Sequence, residues 1–485
     1  MNSSTKLNWI NGQTNNRNSI STIPKIDPHT GKEIYSLQDS NKNDVSEAIS
    51  ISKEISKHWS VKTSVQRGNI LRKCVQEMRS NADVLAALVA TETGKPIQDA
   101  EAEVDGAILQ GDFFASEGLR LYGSTLNSAV TGKQTYSIRE PLGAAALIVP
   151  ANTPIANIAW KVFPALICGN TAILKASEDA PAIANMIGEL FKSAGLPDGV
   201  LNIIQGRGQT AGSYLVEDPR IDLVSFTGST KAGKEIAKTG GQRLARISLE
   251  LGGKNPFIVC NDADVDNAVH WATLSAFSNA GQRCAAASRL FVHSDIYHQF
   301  LDKFVEKSSK LKLGIDRGCD LGPVINSKQY FRILQMIERT ESSGAEILTG
   351  GKKRPNHLPE KGFYIMPTII GNTDNNDPIN QEEIFGPVVT IQKYEDYEIL
   401  LSQANNTLYG LTSAVHTKSL DLAAWFSRHL RNGVVNINAG TYGSEPQFPF
   451  GGFGNSGNGT REPGSEALNV YTELKVVSFL SASPF

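Results

Sequence analysis

The chain has 485 residues, of which 40% are apolar and 20% are charged, a balance that is ordinary for a soluble globular protein. Its 47 basic and 49 acidic residues give a formal net charge of −2, so it lacks the basic footprint of a nucleic-acid-binding or membrane-surface protein. The length allows two or three domains, whose hydrophobic cores are large enough to be stable without disulfides or structural metal ions.

The N-terminus is polar and lacks the apolar stretch of a secretory signal. The longest uninterrupted apolar run, Ala144–Pro150, is far too short to span a bilayer. The five cysteines are scattered, with no CxxC pair and no metal-ligand spacing, which predicts a reducing compartment and no metal site. We therefore expect a soluble, cytoplasmic protein without a membrane or nucleic-acid partner.

From about Asp44 to Gly118, charged and apolar residues recur at helical spacing, which predicts a helical segment. Short apolar runs then alternate with helical stretches. Five of these runs are predicted to be buried strands: Ala144–Pro150, Thr171–Ser177, Leu201–Gly206, Ile221–Gly228 and Arg246–Gly253. Apolar strands separated by helices indicate a parallel sheet covered on both faces, and the ligands of such sheets bind at the carboxyl ends of the strands.

The chain from about Lys254 to Gly452 alternates again and is predicted to form a second α/β domain. Two other segments, Lys133–Glu140 and Val470–Leu480, alternate polar and apolar residues as exposed strands do. Because a terminal strand needs a partner edge, we expect Val470–Leu480 to pair with another subunit.

Cys284 lies in a segment rich in small residues, Phe277–Arg289. Most free cysteines are buried and inert, and that interpretation applies to Cys284 taken alone. The small neighbours, however, leave space for a substrate and let backbone N–H groups approach a reacting oxygen. That setting favours a reactive thiolate. A thiolate that attacks a carbonyl carbon, as in an aldehyde, makes an oxyanion that needs donors held ready.

Two polar residues at predicted strand ends can complete such a site. Glu250 ends the fifth strand and is either a solvated carboxylate or a general base that activates water. Asn152 follows the first strand between Pro150 and Pro154, where its amide either forms an Asx turn or donates to an oxyanion.

The sequence signals for a nucleotide-binding site are weaker than those for the catalytic residues. The turn Gly228–Gly233, which contains Ser229, lies between a strand and a helix whose N-terminus can hold a pyrophosphate. The strict dinucleotide fingerprint is absent, since Gly206–Gly212 has a different glycine spacing. Lys175 and Glu178, at the end of the second strand, can reach a ribose or can be ordinary surface charges.

Ten motifs, in one order over nearly the whole chain, resemble those of the aldehyde dehydrogenase superfamily. They are ETGKP (Glu92–Pro96), REPLG (Arg139–Gly143), VPANTP (Val149–Pro154), GNTAILKASE (Gly169–Glu178), FTGSTKAG (Phe226–Gly233), LELGGK (Leu249–Lys254), FSNAGQRC (Phe277–Cys284), EEIFGPV (Glu382–Val388), ANNTLYGL (Ala404–Leu411), and PFGG (Pro449–Gly452) with SGNGTRE (Ser456–Glu462). The resemblance implies an NAD(P)-dependent enzyme that oxidises an aldehyde to a carboxylic acid.

The resemblance also implies an α/β fold with three parts. These are a Rossmann-type NAD(P)-binding domain over residues 1–120 and 142–252, an α/β catalytic domain over 253–452, and a small β oligomerisation arm over 121–141 and 465–485. Members of the superfamily form dimers or dimers of dimers, so a homodimer or homotetramer is expected.

Roles follow by position in the motifs. The resemblance implies that Cys284 is the nucleophile, that Glu250 is the general base, and that Asn152 and the backbone N–H of Cys284 form the oxyanion hole. The residues it implies for the cofactor are Lys175, Glu178, Gly228, Ser229, Gly233, Glu383 and Phe385. In this interpretation Lys175 and Glu178 hold the adenosine ribose, Ser229 contacts the pyrophosphate, and the last two position the nicotinamide ribose and ring.

Some positions depart from the superfamily pattern. Ala151 and Thr153 stand where aromatic residues often flank the oxyanion asparagine, and Asn157, Glu445 and Gln447 add polarity. The residues expected to line the substrate channel are Thr153, Asn157, Trp160, Phe277, Gln447 and Phe450. They predict a roomy, polar channel for a small polar aldehyde such as a semialdehyde or a sugar-derived aldehyde. The usual lysine after PFGG is also replaced, in Phe453–Gly457.

Three choices stay open. Glu178 favours NAD, because a carboxylate accepts from ribose hydroxyls and repels a 2′-phosphate, while Lys175 and Arg207 leave NADP possible. A CoA-acylating dehydrogenase is an alternative, which Glu250 argues against because such an enzyme has less need of a water-activating base. A non-enzymatic protein on the same fold is the other alternative, and the presence of Cys284, Glu250 and Asn152 argues against it.

Overall fold

The computed structural model describes residues 5–14, 21–353 and 355–481. The first four residues of the polar N-terminus, the segment 15–20 and the last four residues of the expected arm lie outside the described residues. Within the described part of the chain, no helix is both long enough and apolar enough to cross a membrane.

Four long helices fill the region predicted to be helical, and they begin and end at recognisable signals. The first starts after Asn41, whose side chain caps it through the N–H groups of Asn43 and Asp44, and the third ends at Gly94 in the left-handed conformation. The helices of the described chain are Lys42–Ser60, Ser64–Ser80, Ala82–Thr93, Ile97–Glu117, Pro154–Ile167, Pro181–Ser193, Ser213–Glu217, Thr230–Gly241, Val265–Phe277, Tyr297–Ser309, Ser327–Ser342, Pro378–Gln381, Tyr397–Asn405, Leu420–His429 and Leu468–Tyr471.

The first sheet has seven strands, five of them parallel. Their spatial order is Arg246–Glu250, Leu223–Thr227, Ala144–Ile148, Thr171–Lys175, Leu201–Ile204, Trp9–Ile10 and Gln13–Thr14. The last two are antiparallel additions at one edge. Three of the parallel strands are buried at every position, because helices cover both faces of the sheet.

The second sheet also has seven strands. Their order is Glu346–Thr349, Thr368–Gly371, Val388–Tyr394, Ala287–His293, Asn255–Val259, Thr412–His416 and Val434–Ile437. All neighbours are parallel except the pair formed by Glu346–Thr349 and Thr368–Gly371. Together the two sheets confirm the predicted α/β class with a Rossmann-type unit, and each packs around its own apolar clusters.

A third, antiparallel sheet has the order Thr472–Leu480, Lys133–Pro141, Thr125–Leu126. One edge of the terminal strand is paired within the chain, and the prediction that this strand pairs with another subunit concerns its other edge and stays a prediction. Thr472–Leu480 pairs over its whole length with Lys133–Pro141 of the same chain, from Thr472 opposite Pro141 to Leu480 opposite Lys133. Polar and apolar residues alternate in matching positions on the two strands, so one edge of the terminal strand is paired within the chain.

The remaining strands form two small pairs. Thr22–Ile26 pairs with Glu33–Gln38, and Tyr409–Gly410 pairs with Phe453–Gly454. The second pair ties the segment after PFGG to the second sheet. That tie brings the C-terminal part of the chain back towards the strand ends of the first sheet.

Candidate active site

The predicted polar residues lie where the parallel strands of the first sheet end. Lys175 and Glu250 are the last residues of their strands, Asn152 follows the strand that ends at Ile148, and Ser229 follows the one that ends at Thr227. Because parallel strands run in one direction, their carboxyl ends meet at one edge. The structure therefore brings these side chains to one crevice, as the alternation of strands and helices predicts.

Cys284 approaches the crevice from the second sheet. It lies between the turn Ser278–Gly281 and the strand Ala287–His293. The turn is held in an uncommon conformation, with positive φ at Asn279, Ala280 and Gly281. A Cβ on Gly281 would lie 2.1 Å from the carbonyl oxygen of Gly386, so only glycine permits this close approach.

Asn152 contacts the loop that carries the cysteine. Its Nδ2 donates to the carbonyl oxygen of Gln282 at 2.9 Å. Asn157, one helical turn on, donates from Nδ2 to both Thr153 oxygens at 2.8 and 2.9 Å and reaches Asn152 Oδ1 at 3.5 Å. These bonds hold the Asn152 amide with its donor towards the peptide that precedes Arg283. Asn157 and Thr153 therefore help to fix the orientation of the Asn152 side chain.

Three residues that the sequence did not single out also hold this loop. The Nζ of Lys95 donates to the backbone oxygen of Asn152 at 2.9 Å and forms a buried ion pair with Glu103 at 2.5 Å. Glu103 in turn accepts from the N–H of Ile155 at 3.0 Å. Asn279 donates to the same Asn152 oxygen at 3.1 Å. Lys95 lies within the ETGKP motif and Asn279 within the FSNAGQRC motif, which were signals, whereas Glu103 gave none.

The Cys284 thiol is protonated in this environment. Burial raises the pKa of Cys284 to about 12, helped by the carboxyl groups of Glu383 and Glu250 and opposed by the Ala285 N–H and the charge of Arg283. A thiol is a weak nucleophile. The site must therefore remove a proton from Cys284 before or during any attack on a carbonyl carbon.

The environment of Glu250 suits a proton acceptor. It is 4% exposed, and neither carboxyl oxygen has a hydrogen-bond partner. Burial and the nearby Glu462 raise the pKa of Glu250 well above the ordinary value, while Lys161 and Arg461 lower it. A buried carboxyl group with a raised pKa and free lone pairs can take a proton from a thiol or from water.

A buried ion pair lies beside this carboxyl group. Lys161 and Glu462 are 2.7 Å apart and each side chain is 1% exposed. Glu462 also accepts from the hydroxyl groups of Ser225 and Ser248, at 2.8 and 3.0 Å. Sequence analysis missed both charged residues. Lys161 did leave a signal, because it stands one turn after Asn157 in an otherwise apolar helix.

The altered segment after PFGG has a structural role. Asn458 acts like a strand residue, since its Oδ1 accepts from the N–H of Leu249 at 3.0 Å and its Nδ2 donates to the Ile247 oxygen at 2.8 Å. The N–H of Leu251 donates to the oxygen of Ser456 at 3.0 Å. The segment thus hydrogen-bonds to the strand that carries Glu250 and fixes that strand's end.

A cleft of about 790 Å³ lies at the same edge of the first sheet. The residues that line it include Ile148, Glu178, Arg207, Gly208, Phe226, Ser229 and Ala232. Ser229 caps the helix Thr230–Gly241, whose first N–H groups point into this region. A Cβ on Gly233 would lie 2.5 Å from Leu251, so glycine lets the helix pack closely on the sheet.

Charges in the cleft are paired in a way that bears on its ligand. Lys175 and Glu178 form an ion pair at 3.0 Å. Burial opposes ionisation of Glu178, but Lys175 and backbone N–H groups outweigh it and lower the pKa of Glu178. The guanidinium of Arg207 forms an ion pair with Asp39. A carboxylate is thus present for ribose hydroxyls, while the nearest arginine already has a partner.

Glu383 and Phe385 lie on the loop before the strand Val388–Tyr394. Glu383 accepts from the N–H of Gly253 at 3.1 Å, and a Cβ on Gly252 would lie 2.2 Å from the Glu383 carboxylate. Burial raises the pKa of Glu383 to about 7. Phe385 adopts a positive φ of 56°, an uncommon conformation for a bulky residue that is held by its surroundings.

Two long side chains clamp this loop, and neither was predicted. Gln329 donates to the backbone oxygens of Ile384 and Phe385 at 2.8 and 2.9 Å. Arg332 donates to the backbone oxygen of Glu383 at 3.1 Å. Such fixed backbone geometry holds the Glu383 carboxyl group against the two glycines after Glu250.

The residues predicted for the substrate channel fall into different places. Trp160 and Phe450 are edge to face at 5.5 Å and pack in one cluster with Cys284. Phe277 does not join them: it is 1% exposed and stacks on Phe304 at 5.9 Å in the core of the second domain. Gln447 is exposed and donates to Glu445 at 2.7 Å.

The donor set fits a dinucleotide. The cleft combines a helix N-terminus for a phosphate, an ionised carboxylate for hydroxyl groups and glycines that allow close backbone approach. In the described part of the chain, no three side chains of His, Cys, Asp or Glu form a group able to hold a metal ion. The arrangement can therefore combine a thiol, a buried base and an amide donor next to a dinucleotide cleft.

Comparisons with known proteins identify the family. Residues 14–477 match the model of the aldehyde dehydrogenase family. The chain is 37% identical over 475 residues to D-glyceraldehyde dehydrogenase (NADP(+)) of Thermoplasma acidophilum, covering 97% of this chain and 96% of that protein. It is 39% identical over 478 residues to cytosolic aldehyde dehydrogenase 1 of Mus musculus, covering 97% of this chain and 94% of that protein.

Solved structures show the same overall arrangement. Betaine aldehyde dehydrogenase from Staphylococcus aureus, in complex with NAD+, superposes with a TM-score of 0.96 at 31% sequence identity. The superposition covers 99% of this chain and 95% of that chain.

Proposed function

Because this chain belongs to the aldehyde dehydrogenase family and is an NAD(P)-dependent aldehyde dehydrogenase, we propose that it oxidises a small polar aldehyde through a thioester on Cys284 that water hydrolyses. The observation that carries the proposal is the carboxyl group of Glu250, which is buried, has no hydrogen-bond partner and has a raised pKa. A base of this kind is required when water is the acceptor of the acyl group.

In the first step, Cys284 loses its proton and its sulfur bonds to the aldehyde carbon. The carbonyl oxygen becomes an oxyanion. Asn152 and the backbone N–H of Cys284 stabilise it, in keeping with the contact between the Asn152 amide and the cysteine loop. The thiol proton is released to solvent in this step, while Glu250, whose charge raises the pKa of the thiol, stays available as the base for the second step.

NAD(P)+ held by Lys175, Glu178 and Ser229 would supply the acceptor for the hydride that leaves the aldehyde carbon. A thioester then remains on Cys284. Glu250 then takes a proton from a water molecule while the water oxygen bonds to the thioester carbon. The carbon–sulfur bond breaks, and the carboxylic acid leaves. The ability of Glu250 to accept a proton depends on two charged neighbours, because Lys161 lowers the pKa of Glu250 and Glu462 raises it.

The test of the nucleophile is Cys284→Ala. We expect this variant to lose NAD(P)H production while it keeps cofactor binding, measured by the quenching of tryptophan fluorescence on titration with NAD+. Cys319→Ala is the matched control, because Cys319 is also a partly exposed free thiol. Undiminished turnover in Cys284→Ala would refute the assignment.

The acceptor of the acyl group is tested with and without CoA. A hydrolytic enzyme turns over at full rate without CoA and releases the free acid. If NADH formation stops after one equivalent per site and resumes only when CoA is added, then the CoA-acylating alternative is correct. The acid and the acyl-CoA product are distinguished by mass spectrometry.

Polar groups near the cysteine support a small polar substrate. Thr153 and Asn157 add polar groups next to the Asn152 amide. The apolar cluster around Cys284 is small and consists of Trp160, Ala285, Leu411, Val434, Tyr442 and Phe450. A panel of succinic semialdehyde, glycolaldehyde and hexanal, read by NADH absorbance, tests this. A clear preference for hexanal would contradict the proposal.

The ion pairs in the cleft support a preference for NAD. The negative Glu178 repels a 2′-phosphate, and Arg207 is already paired with Asp39. The relative from Thermoplasma acidophilum is named for NADP, so both cofactors need to be titrated. Comparable kcat/KM values for NAD and NADP would refute the preference.

The third sheet supports a homo-oligomer in which the outer strand of this sheet contacts another subunit. The arm, residues 121–141 and 465–485, then forms a unit separate from the cofactor-binding and catalytic domains. Thr472–Leu480 is an edge strand of this sheet. It exposes Leu474, Val476, Phe479 and Leu480 to between 58% and 64%, which is unusual for a free edge. Light scattering coupled to gel filtration measures the mass, and Val476→Lys should shift it towards the monomer.

A further inference from the structure

Arg283 precedes the nucleophile directly and has no part in the mechanism above. Its guanidinium carbon lies 4.6 Å from the centre of the Tyr442 ring, and its Nε is buried without a hydrogen-bond partner. Within the described part of the chain, the guanidinium forms no ion pair. A buried donor of this kind carries a free-energy cost unless a ligand satisfies it.

The surroundings of Arg283 place its charge beside the apolar cluster that contains Cys284. Tyr442, on which it stacks, packs in the same apolar cluster as Trp160, Phe450 and Cys284. The charge of Arg283 also acts on the sulfur, since it opposes the rise in the pKa of Cys284. Through Tyr442, the guanidinium is therefore packed next to the cluster that holds the reacting sulfur.

Asp99, on the helix Ile97–Glu117, is a carboxyl group that the charge of Arg283 influences. Burial raises the pKa of Asp99, and the charge of Arg283 opposes that rise. The two groups are not within ion-pair distance in the described structure. Asp99 thus offsets part of the charge of Arg283 without using its N–H donors, which remain available for a ligand.

We infer that Arg283 binds a carboxylate carried by the substrate, so that the preferred substrates are semialdehydes of short dicarboxylic acids. This inference rests on the proposed function, because it assigns the far end of the aldehyde that Cys284 attacks. A guanidinium offers a planar fork of donors that matches the two oxygens of a carboxylate. Stacking on Tyr442 fixes the plane of the fork and leaves its edge open.

The chain length of the substrate follows from the position of Arg283. Its α-carbon is one residue from that of Cys284, about 3.8 Å away. The guanidinium and the sulfur can therefore be no farther apart than their two side chains allow, which sets an upper limit on the length of a substrate that contacts both. An aldehyde with the same carbon chain but no charge lacks a partner for the fork and should bind less well.

The experiment compares succinic semialdehyde with butanal, which has the same number of carbons and no charge, in the parent enzyme and in Arg283→Met. Methionine keeps an apolar side chain against Tyr442. We expect the ratio of kcat/KM for succinic semialdehyde to that for butanal to fall by about 10- to 100-fold, the value of a hydrogen bond to a charged group. The change should be in KM for the semialdehyde, and Arg283→Lys should restore part of it.

The ratio matters because Arg283 also lowers the pKa of the thiol. Loss of that effect slows both substrates alike and cancels in the ratio. Arg317→Met is the matched control, since Arg317 is 64% exposed and pairs with Glu101 on the surface; its ratio should equal that of the parent. A ratio that stays within twofold of the parent in Arg283→Met would overturn the inference.

A second measurement does not depend on turnover. Succinate, as a mimic of the substrate carboxylate, should protect Cys284 of the parent from alkylation by N-ethylmaleimide, whereas neutral succinamide should not. In Arg283→Met the protection should disappear. If no aldehyde yields NADH, then the proposed function fails, and the protection experiment still decides whether Arg283 binds carboxylates. Equal protection in the parent and the variant would refute the inference.

Discussion

Replacing Glu250 with glutamine should remove turnover and, at alkaline pH, stabilise the protein. The substitution keeps the size of the side chain and removes its charge. Both carboxyl oxygens of Glu250 are buried without a partner, and Glu462 lies nearby. The ionised form of Glu250 is therefore unfavourable for the folded protein but necessary for the hydrolysis of the thioester.

The kinetic effect can be estimated from the role of a general base. Such a group contributes about 10²- to 10⁴-fold, which is about 3–5 kcal/mol of barrier. The effect should appear only after the hydride has left the substrate, because Cys284 can still form the thioester. Stopped-flow absorbance of Glu250→Gln should show a burst of about one NADH per site, followed by a slow steady state, with thioester trapped on the enzyme and visible by mass spectrometry.

The stability effect has a definite sign. The folded pKa of Glu250 lies above the unfolded value of 4.5. The contribution of the protonated carboxyl group is therefore fully present below pH 4.5 and is lost as the pH rises through the folded pKa. Glutamine does not titrate, so the melting temperature of Glu250→Gln relative to the parent should increase between pH 5 and pH 8, by the equivalent of about 1–3 kcal/mol for an unsatisfied buried group.

Glu462→Gln is the matched control, because Glu462 is equally buried but paired with Lys161. Its loss leaves the lysine charge without a partner, so this variant should be destabilised by about 3–5 kcal/mol. The reasoning is refuted if Glu250→Gln loses its NADH burst together with its steady state. It is also refuted if the difference in melting temperature between Glu250→Gln and the parent does not grow with pH.

Two further substitutions test the groups on either side of the sulfur. Asn152→Ala should lower kcat by about 10²- to 10³-fold, the cost of an oxyanion donor, while tryptophan fluorescence shows unchanged NAD+ binding; a loss confined to KM would argue against that role. Glu178→Gln should lower the ratio of kcat/KM for NAD to that for NADP by about tenfold, because the carboxylate that accepts from the ribose and repels a 2′-phosphate is gone; parallel titrations measure it.

The strands of the first sheet were predictable because each is a run of apolar residues between turn signals. The ends of these strands were less predictable. Arg246–Gly253 was expected as one strand, but the strand ends at Glu250, since Gly252 and Gly253 leave the sheet to lie against Glu383. Residues that leave the regular hydrogen-bond pattern at a strand's carboxyl end are the ones that can face a ligand.

Short elements gave no periodic signal. Trp9–Ile10 and Gln13–Thr14 extend the first sheet with two residues each, too few for an alternating pattern to be read. Phe277 shows the opposite difficulty: its motif suggested the channel, but its side chain packs in the core against Phe304. A position next to a functional loop does not determine which way a side chain points.

The environment of Glu250 could not be predicted because its parts are far apart in the chain. Lys161 and Glu462 are separated by 301 positions, and the strand that carries Glu250 lies between them in sequence. The segment from Ser456 to Glu462 does two things at once: its backbone and Asn458 pair with that strand, and its last residue supplies the negative charge that raises the pKa of Glu250.

That double role explains how the chain can depart from the usual motif after PFGG and keep a general base. The lysine common at that position is replaced, yet the contacts that hold the Glu250 strand are made by the Ser456 oxygen and by the Asn458 amide. A lysine in Phe453–Gly457 is not needed for those contacts. What the base requires is the charge balance between Lys161 and Glu462, and that balance is set by residues outside the altered positions.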